Sequence, residues 1–560
     1  MSNTHDVFNQ STPFADVDLY ASNRPLRDAL AFNLELSAAD EARLSELGRL
    51  AGSAAMQEHA RLANVHTPEL RTHDRVGRRV DQVEFHPAYH ALMKGACEAG
   101  LHATPWARGP GAHVLRAAGF MLYTELEASV LCPVSMTYAV APALLANAAI
   151  AKDWMPGLTA AAYDGAFAPP ARKAGLTMGM GMTEKQGGSD VRANTTQAVR
   201  AGRDGWGEAY TLTGHKWFMS APMCDAFLVL AQAAGGLSCF FLPRWLPDGS
   251  VNPIRIQRLK DKLGNKANAS SEVEFDGARA WLVGEEGRGV PQILAMGTLT
   301  RLDCALGTAG LMRQALQLAV HHARERMAFG KHLAEHALMK AVLADLALES
   351  EAATALALRL ARAVDRSEAR ASASRAANAS DDEMAHEAAL RRVLTPLAKF
   401  WICKRGSHVA QEAMECLGGN GYVEDGGRGT MARVYREMPL NSIWEGAANI
   451  MGLDLLRAVR DPATVLALMR ELAPLAGAHA QVDRMVRELP DRMDGGTSEA
   501  QARLLARDAA LLLQASLLRQ HAPSSVFDAF IAARLVRGSD VFGALPDGVD
   551  VDAIVARALP

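Results

Sequence analysis

Apolar positions change their spacing twice along the chain, and the changes mark out its architecture. Up to about residue 175 the pattern is mainly helical. The stretches 112–128 and 135–149 are rich in Ala and Leu and poor in β-branched residues, so each predicts a helix. Between about Leu176 and Gly289 the apolar residues come instead in short alternating or continuous runs, among them Thr211-Leu-Thr-Gly, Phe227-Leu-Val-Leu-Ala, Leu237-Ser-Cys-Phe-Phe-Leu and Glu272-Val-Glu-Phe. Gly, Pro and Asp-Gly cut these runs about every 8–12 residues, which predicts a small β-barrel or sandwich. From Val290 helical spacing returns, with long Ala/Leu stretches at 308–324, 337–363 and 388–417. The Ala-, Ser- and acid-rich segment 365–387 predicts a solvent-exposed extension between two of these helices. Beyond Pro462 helical periodicity continues at 463–489, 498–520 and 524–537.

The predicted fold class is α+β: an N-terminal helical domain (1–175), a middle β-barrel (176–289), a C-terminal helical bundle (290–462) and an extra helical domain (463–560). At about 150 residues per domain, 560 residues call for several such units. With 22% charged and 49% hydrophobic residues the composition is that of an ordinary globular chain. The 59 basic and 62 acidic residues, net −3, give no whole-chain attraction to nucleic acid, so a DNA contact needs a local basic patch. Seven scattered cysteines without a C-x-x-C pair predict reduced thiols. The first residues lack the basic and apolar regions of a secretory signal. The longest mainly apolar run, 139–151, falls short of the ~20 residues of a spanning helix. The expected location is the cytoplasm, with no membrane partner.

Five motifs carry chemistry. In Met180-Gly-Met-Thr-Glu-Lys-Gln-Gly-Gly-Ser-Asp190, glycines free backbone N–H groups for an anion nest, and Thr183 and Ser189 add directional donors; a plain surface hairpin uses the same residues. In Gly214-His-Lys-Trp-Phe-Met-Ser220, Phe218 and Ser220 share one face of a strand. They suit a planar ring and its polar edge, or Phe218 fills a barrel core. Arg326-Met-Ala-Phe-Gly330 follows a helix, where a guanidinium suits a diphosphate and equally suits the helix dipole. Glu415-Cys-Leu-Gly-Gly-Asn-Gly-Tyr422 ends a helix with more glycine than a stop requires, pointing to backbone approach to a ligand. Finally, Tyr435-Arg-Glu-Met-Pro-Leu-Asn-Ser-Ile-Trp-Glu-Gly-Ala-Ala-Asn-Ile450 sets Glu445 between Trp444 and Gly446 where a loop enters a helix. That place suits a tuned general base, or a first-turn acid facing the helix dipole. Gly284-x-x-Gly-x-Gly lacks the βαβ setting of a dinucleotide fingerprint. No Cys or carboxylate set joins His86/His90 or His332/His336, so no metal site is predicted.

In this order and layout the five motifs resemble the acyl-CoA dehydrogenase family of flavoproteins, and Lys262-Leu-Gly-Asn-Lys266 and Val283-Gly-Glu-Glu-Gly-Arg-Gly289 fit that family's exit from the β domain. Val7-Phe-Asn-Gln10, Arg61-Leu-Ala-Asn64, Pro68-Glu-Leu70, Phe85-His-Pro-Ala88, Leu131-Cys-Pro133, Leu237-Ser-Cys-Phe-Phe241 and residues 265–270 are similar to its AidB branch, tied to the adaptive response to DNA alkylation and bearing an extra C-terminal helical domain. The segment 365–387 is longer and more polar than that branch's pattern. The resemblance implies FAD. It assigns Met180, Met182, Thr183, Gly188 and Ser189 to the flavin edge and pyrophosphate. Phe218, Met219 and Ser220 go to one flavin face, with Phe218 where the wider family has Trp. Ile443, Trp444, Gly446, Asn449 and Leu453 go to its other side.

By the same resemblance, Arg326, Phe329, Gly418 and Gly419 reach the adenosine diphosphate of FAD in a neighbouring subunit, which implies at least a dimer and, as in the family, a homotetramer. Glu445 aligns with the catalytic base. The family's other base position, just before the arginine of the first C-terminal bundle helix, holds Thr300 before Arg301, so Glu445 is the matched carboxylate. The implied reaction takes the α-proton of an acyl-CoA thioester while the β-hydride goes to flavin, with weak, isovaleryl-CoA-like activity. An alkylating small molecule is the other implied substrate class, and a dedicated short- or branched-chain metabolic dehydrogenase without a DNA role is the alternative. Residues 463–560 hold ten Arg, no Lys and twelve acids. Arg457, Arg484, Arg487, Arg503, Arg507, Arg519, Arg534 and Arg537 form a hypothetical footprint on double-stranded DNA; solvated helix faces and intersubunit salt bridges account for them as well.

Overall fold

A computed structural model describes residues 4–368 and 381–559; of the predicted 365–387 extension, residues 369–380 lie outside the described residues. The chain divides into two compact units, Met1–Gln57 with Gly109–Leu126 and Arg301–Pro560, and Glu58–Arg108 with Glu127–Thr300. Residues 463–560, expected as a domain of their own, fall within the first unit.

The first unit is helical apart from a short antiparallel hairpin, Met327–Ala328 with Lys331–His332. Its organising element is the helix Ala337–Glu368, in which every residue from Leu343 to Ala361 is buried. A helix without a solvent face must be apolar all round or pair its charges. Leu and Ala fill most positions, and the four charged residues are all paired. Asp345 and Glu349 bind Arg534, and Glu349 also binds Arg405 at 3.0 Å. Glu351 pairs with Arg557 at 2.9 Å, and Arg359 takes both Glu387 and Glu471 at 2.8 Å. Glu471, Arg534 and Arg557 all come from beyond residue 462, so ions pin the C-terminal hundred residues to this helix.

Burial overturns two expectations. Asp365 and Glu387, placed in a solvent-exposed extension, are buried near the ends of the helices Ala337–Glu368 and Asp381–Cys416. The Asp365 carboxylate accepts from the Gly111 and His113 amides at 2.7 and 2.9 Å, satisfying N–H groups at the start of the helix Ala112–Leu126. Glu387 answers Arg359. Acid-rich composition at these points serves a helix cap and an ion pair rather than solvation. Arg534, expected on a DNA-facing surface, is buried, and its guanidinium is occupied by Asp345 and Glu349, so it is withdrawn from phosphate contact.

The second unit holds the strands. β1 (Glu69–His73) and β2 (Arg79–Glu84) form an antiparallel hairpin inside the stretch read as mainly helical. Seven more follow: β3 (Met178–Gly181), β4 (Gln197–Asp204), β5 (Gly207–Ser220), β6 (Ala226–Ala233), β7 (Gly236–Pro243), β8 (Ile254–Leu259) and β9 (Ser270–Leu282). Pairing runs β6–β4–β5–β9–β7 and returns from β7 to β6, closing a ring of five, with β3 parallel on β6 and β8 antiparallel on β9. This closure is the predicted barrel, and it leaves no free edge among the five ring strands. An aromatic cluster forms around Trp206 in the turn from β4 to β5, edge-on to Trp281 at 4.9 Å and to Phe241 at 5.7 Å.

The single helix predicted over 135–149 is divided among Leu131–Ala139, Ala141–Leu144 and the start of Ala148–Leu158, which Asn147 precedes. The Asn147 side chain accepts from the Ile150 amide to cap the helix Ala148–Leu158 and donates to the Trp206 and Leu282 carbonyls at 2.9 and 3.0 Å. No helix among the described residues is long and apolar enough to cross a membrane.

Removing one partner of a buried ion network leaves the others unpaired at a cost of about 3–5 kcal/mol. Arg534→Met is therefore expected to lower stability by that amount, whereas Arg503→Ala, on an exposed helix face, costs under about 1 kcal/mol; chemical denaturation of the two variants checks the contrast.

Candidate functional site

In the second unit the chemistry gathers where β5 ends. Strand alternation turns Met219 into the core, fully buried with its carbonyl accepting from the Ser271 hydroxyl at 2.8 Å. Phe218 and Ser220 face the other way. Phe218 is 46% exposed, so it is not barrel filling, and the Ser220 hydroxyl lies 3.3 Å from that of Ser270. The Lys260 ammonium stands 3.3 Å over the Trp217 ring and 4.6 Å over that of Phe218, and pairs with Glu272 at 2.6 Å.

The glycine-rich loop after β3 is fastened to the same strand by one buried carboxylate. Glu184 accepts from the Thr195 and Thr196 amides at 2.7 and 3.2 Å and from their hydroxyls at 3.0 and 2.6 Å. It also takes Lys216 Nζ at 2.7 Å. Burial alone would raise its pKa. The Lys216 ammonium, the Thr196 hydroxyl and the Thr195 amide outweigh that, and the carboxyl titrates at about 2. Trp217 N–H donates to the Thr183 carbonyl at 2.8 Å, setting the loop's start. A Cβ on Gly188 would stand 2.4 Å from the Thr183 hydroxyl oxygen, so only glycine lets the loop close over Thr183. Met180 is buried, Met182 and Thr183 are half-buried, and Gly188 and Ser189 are exposed.

In the first unit, Arg326 follows the helix Gly289–Glu325 and enters the hairpin β10 (Met327–Ala328) and β11 (Lys331–His332). Arg326 Nη1 donates to the Asn9 carbonyl, while the Asn9 side chain bonds both backbone groups of Met327, at 2.7 and 2.9 Å. Phe329, at the tip, has φ +50° and is 97% exposed. The other glycine motif follows the helix Asp381–Cys416. Gly418 has φ +58°, and nothing lies within 4 Å of a Cβ built on Gly418 or Gly419.

Glu445 precedes the helix Ala448–Ala458 and its cap Ala447, so it is no first-turn acid. It lies in the turn after Met438–Ser442, half-buried, with φ +59°, a left-handed backbone that side chains avoid. Its carbonyl accepts from Arg301 Nε at 2.9 Å, and the Gly446 carbonyl accepts from Lys399 Nζ. Trp444 is held by its ring N–H on Asn441 Oδ1 at 2.9 Å, and Asn441 in turn donates to Thr308 at 3.1 Å. Ile443 is 62% exposed, Asn449 is exposed, and Trp444, Gly446 and Leu453 are half-buried. The structure thus assembles Ile443 to Leu453 with Arg301 as one group, and Thr183, Gly188, Phe218 and Ser220 as another. Sequence reasoning missed Lys399, Glu184 and Lys216. A lone lysine amid the apolar residues Leu397-Ala-Lys-Phe400 was the signal available for the first.

Residues 9–165 match the family described as the adaptive response protein AidB N-terminal domain, 179–278 the acyl-CoA dehydrogenase middle domain, and 287–460 the acyl-CoA dehydrogenase C-terminal domain. AidB of Escherichia coli (strain K12) is 49% identical over 494 residues, 88% of this chain and 87% of that protein. The solved structure of Bd2924 in its apo form has TM-score 0.82 and 31% identity, covering 92% of this chain and all of that one. Caenorhabditis elegans ACDH-11, solved in complex with C11-CoA, has TM-score 0.82 and 25% identity, covering 100% of this chain and 93% of its own.

A carboxyl held at about 2 stabilises the folded chain fully above its ordinary value near 4.5 and loses that contribution as pH falls between the two. The stability gap between the native sequence and Glu184→Gln should therefore be constant above pH 5 and narrow from there towards pH 2, as read by thermal unfolding across pH.

Proposed function

On the premise that this chain belongs to the acyl-CoA dehydrogenase family, in its AidB branch, and is an FAD-dependent oxidoreductase, we propose that it oxidises acyl-CoA thioesters with Glu445 as base and serves the adaptive response to DNA alkylation in association with duplex DNA. The residues present fit FAD. Phe218 offers an exposed ring on the same strand face as the Ser220 hydroxyl, Gly188 lets the loop close over Thr183, and Gly418 and Gly419 leave open, uncovered backbone. Met180, Met182, Thr183, Gly188, Ser189, Phe218 and Ser220 would hold the flavin edge and pyrophosphate, Met219 contributing main chain alone. Ile443, Trp444, Gly446, Asn449 and Leu453 would complete the flavin's surroundings. Arg326, Phe329, Gly418 and Gly419 would serve the adenosine diphosphate of a neighbouring subunit's FAD in a homotetramer, located in the cytoplasm.

The observation that carries the reading is the strained turn at Glu445, whose carbonyl and its neighbour's are both anchored. Strain held in this way is the mark of a positioned functional group. The carboxylate takes the proton from the carbon α to the thioester carbonyl; that bonding pair forms the new double bond as the β-hydride departs. FAD, when bound, supplies the hydride acceptor. Thr300, whose hydroxyl donates to the Gly297 carbonyl at 3.1 Å, has no basic group for this task. A short, branched thioester such as isovaleryl-CoA is the proposed substrate class, with an alkylating small molecule as the alternative.

For DNA, the arginines exposed along the C-terminal helices support the proposal: Arg457, Arg484, Arg487, Arg503, Arg507, Arg519 and Arg537. Two observations favour the metabolic alternative instead. Arg534 is spent internally, and Arg507 shares Asp508 with Arg492 at 2.9 Å.

Glu445→Gln should retain FAD and slow flavin bleaching by isovaleryl-CoA by about 100-fold or more; bleaching at the native rate rejects the base. In a gel shift with duplex DNA, replacing Arg484, Arg487, Arg503 and Arg507 with Ala together should weaken binding and flatten its salt dependence by about 0.9 log unit per lost phosphate contact. Affinity that ignores both salt and these arginines rejects the DNA role.

A further inference from the structure

The turn bearing Glu445 is gripped by two cations that the reaction itself does not use. A positive φ at a non-glycine residue persists only where its surroundings over-determine it, and here the turn is held on both sides of Glu445. The residue before it, Trp444, is held in place, its N–H donating to the Leu440 carbonyl at 3.1 Å and its ring N–H to Asn441. The plane after it is fixed by Arg301 Nε on the Glu445 carbonyl at 2.9 Å, with Arg301 aimed by Asp454 at 3.1 Å. The next carbonyl, that of Gly446, takes Lys399 Nζ. Lys399 is buried within the helix Asp381–Cys416 and makes no ion pair among the described residues. Burying an ammonium is costly unless a partner answers it. Its charge is spent on one carbonyl, next to the strained residue.

We propose that Lys399 and Arg301 are positioning residues for Glu445: paired cationic donors on consecutive carbonyls that hold the left-handed turn and so set the direction of the carboxylate. The proposal rests on the reading of Glu445 as the base. A shift of the base by about 1 Å is enough to cost two orders of magnitude in rate without loss of binding.

The test uses the full FAD-loaded chain carrying Lys399→Met, which keeps the unbranched stem to within one atom of its length and removes its donor. The expected result has three parts: FAD content unchanged, isovaleryl-CoA affinity within about threefold, and a limiting bleaching rate down about 10- to 100-fold. Hydrogen exchange in the 440–450 peptide should also quicken. Arg301→Gln should give the same pattern and serves if Lys399→Met does not fold. Native bleaching with native exchange in either variant overturns the proposal, as does loss of FAD in place of slower bleaching, which marks a packing role. Glu445→Gln separates the two readings. If it bleaches normally, the base assignment falls; if it is inactive while both cation variants react normally, the base stands and the positioning role falls. Should isovaleryl-CoA leave the native flavin unbleached, exchange in 440–450 alone decides.

Discussion

Charge taken out of water has to be answered, and that constraint organises the helical unit. A helix closed to solvent from Leu343 to Ala361 contains Asp345, Glu349, Glu351 and Arg359. Each unpaired would cost several kcal/mol, a large part of what holds a domain together. The chain meets the cost with Arg405, Arg534, Arg557, Glu387 and Glu471. Three of those five lie in the last hundred residues, so that segment is needed to neutralise the core. Its ten arginines therefore divide between inward and outward duty, and a count of basic residues overstates what it offers a phosphate backbone.

The same rule acts differently at the two halves of the chemistry. Glu184 is surrounded by so many donors that its charge is comfortable, and the result is a rigid glycine loop tied to β5 through Lys216. Lys399 is given a neutral carbonyl and no carboxylate, a weaker answer that leaves it dependent on the turn it holds. In the first case ionisation stabilises a scaffold; in the second it fixes the geometry of one residue with φ +59°.

Much of this was legible in the residue pattern because it is local. The runs at Phe227 and Leu237 read as strands through their alternation and became β6 and β7, and Glu445 stood out beside Trp444 and Gly446. What escaped was set by distant partners. The stretch 135–149 has helical composition throughout, yet it is divided after Ala139 and again before Ala148, where the Asn147 amide reaches two carbonyls near strand ends. Asp365 and Glu387 look like surface acids until the Gly111 amide and Arg359 are brought beside them. The β1–β2 hairpin hid behind charged residues on its open face. Lys399 lies 47 residues from the carbonyl it serves, and no period in the sequence reports such a bond.

Asn9 offers a last consequence. It fastens the end of the helix Gly289–Glu325 to a segment 317 residues earlier, and one arm of Arg326 is committed to the Asn9 carbonyl. The guanidinium's remaining donors are thereby pre-aimed, since rotation about its long stem is restricted before any anion arrives. A protease cut or a bulky fusion that lifts this strap would return Arg326 to free rotation, and an apparently remote edit would be felt as an entropic toll on whatever that arginine grasps.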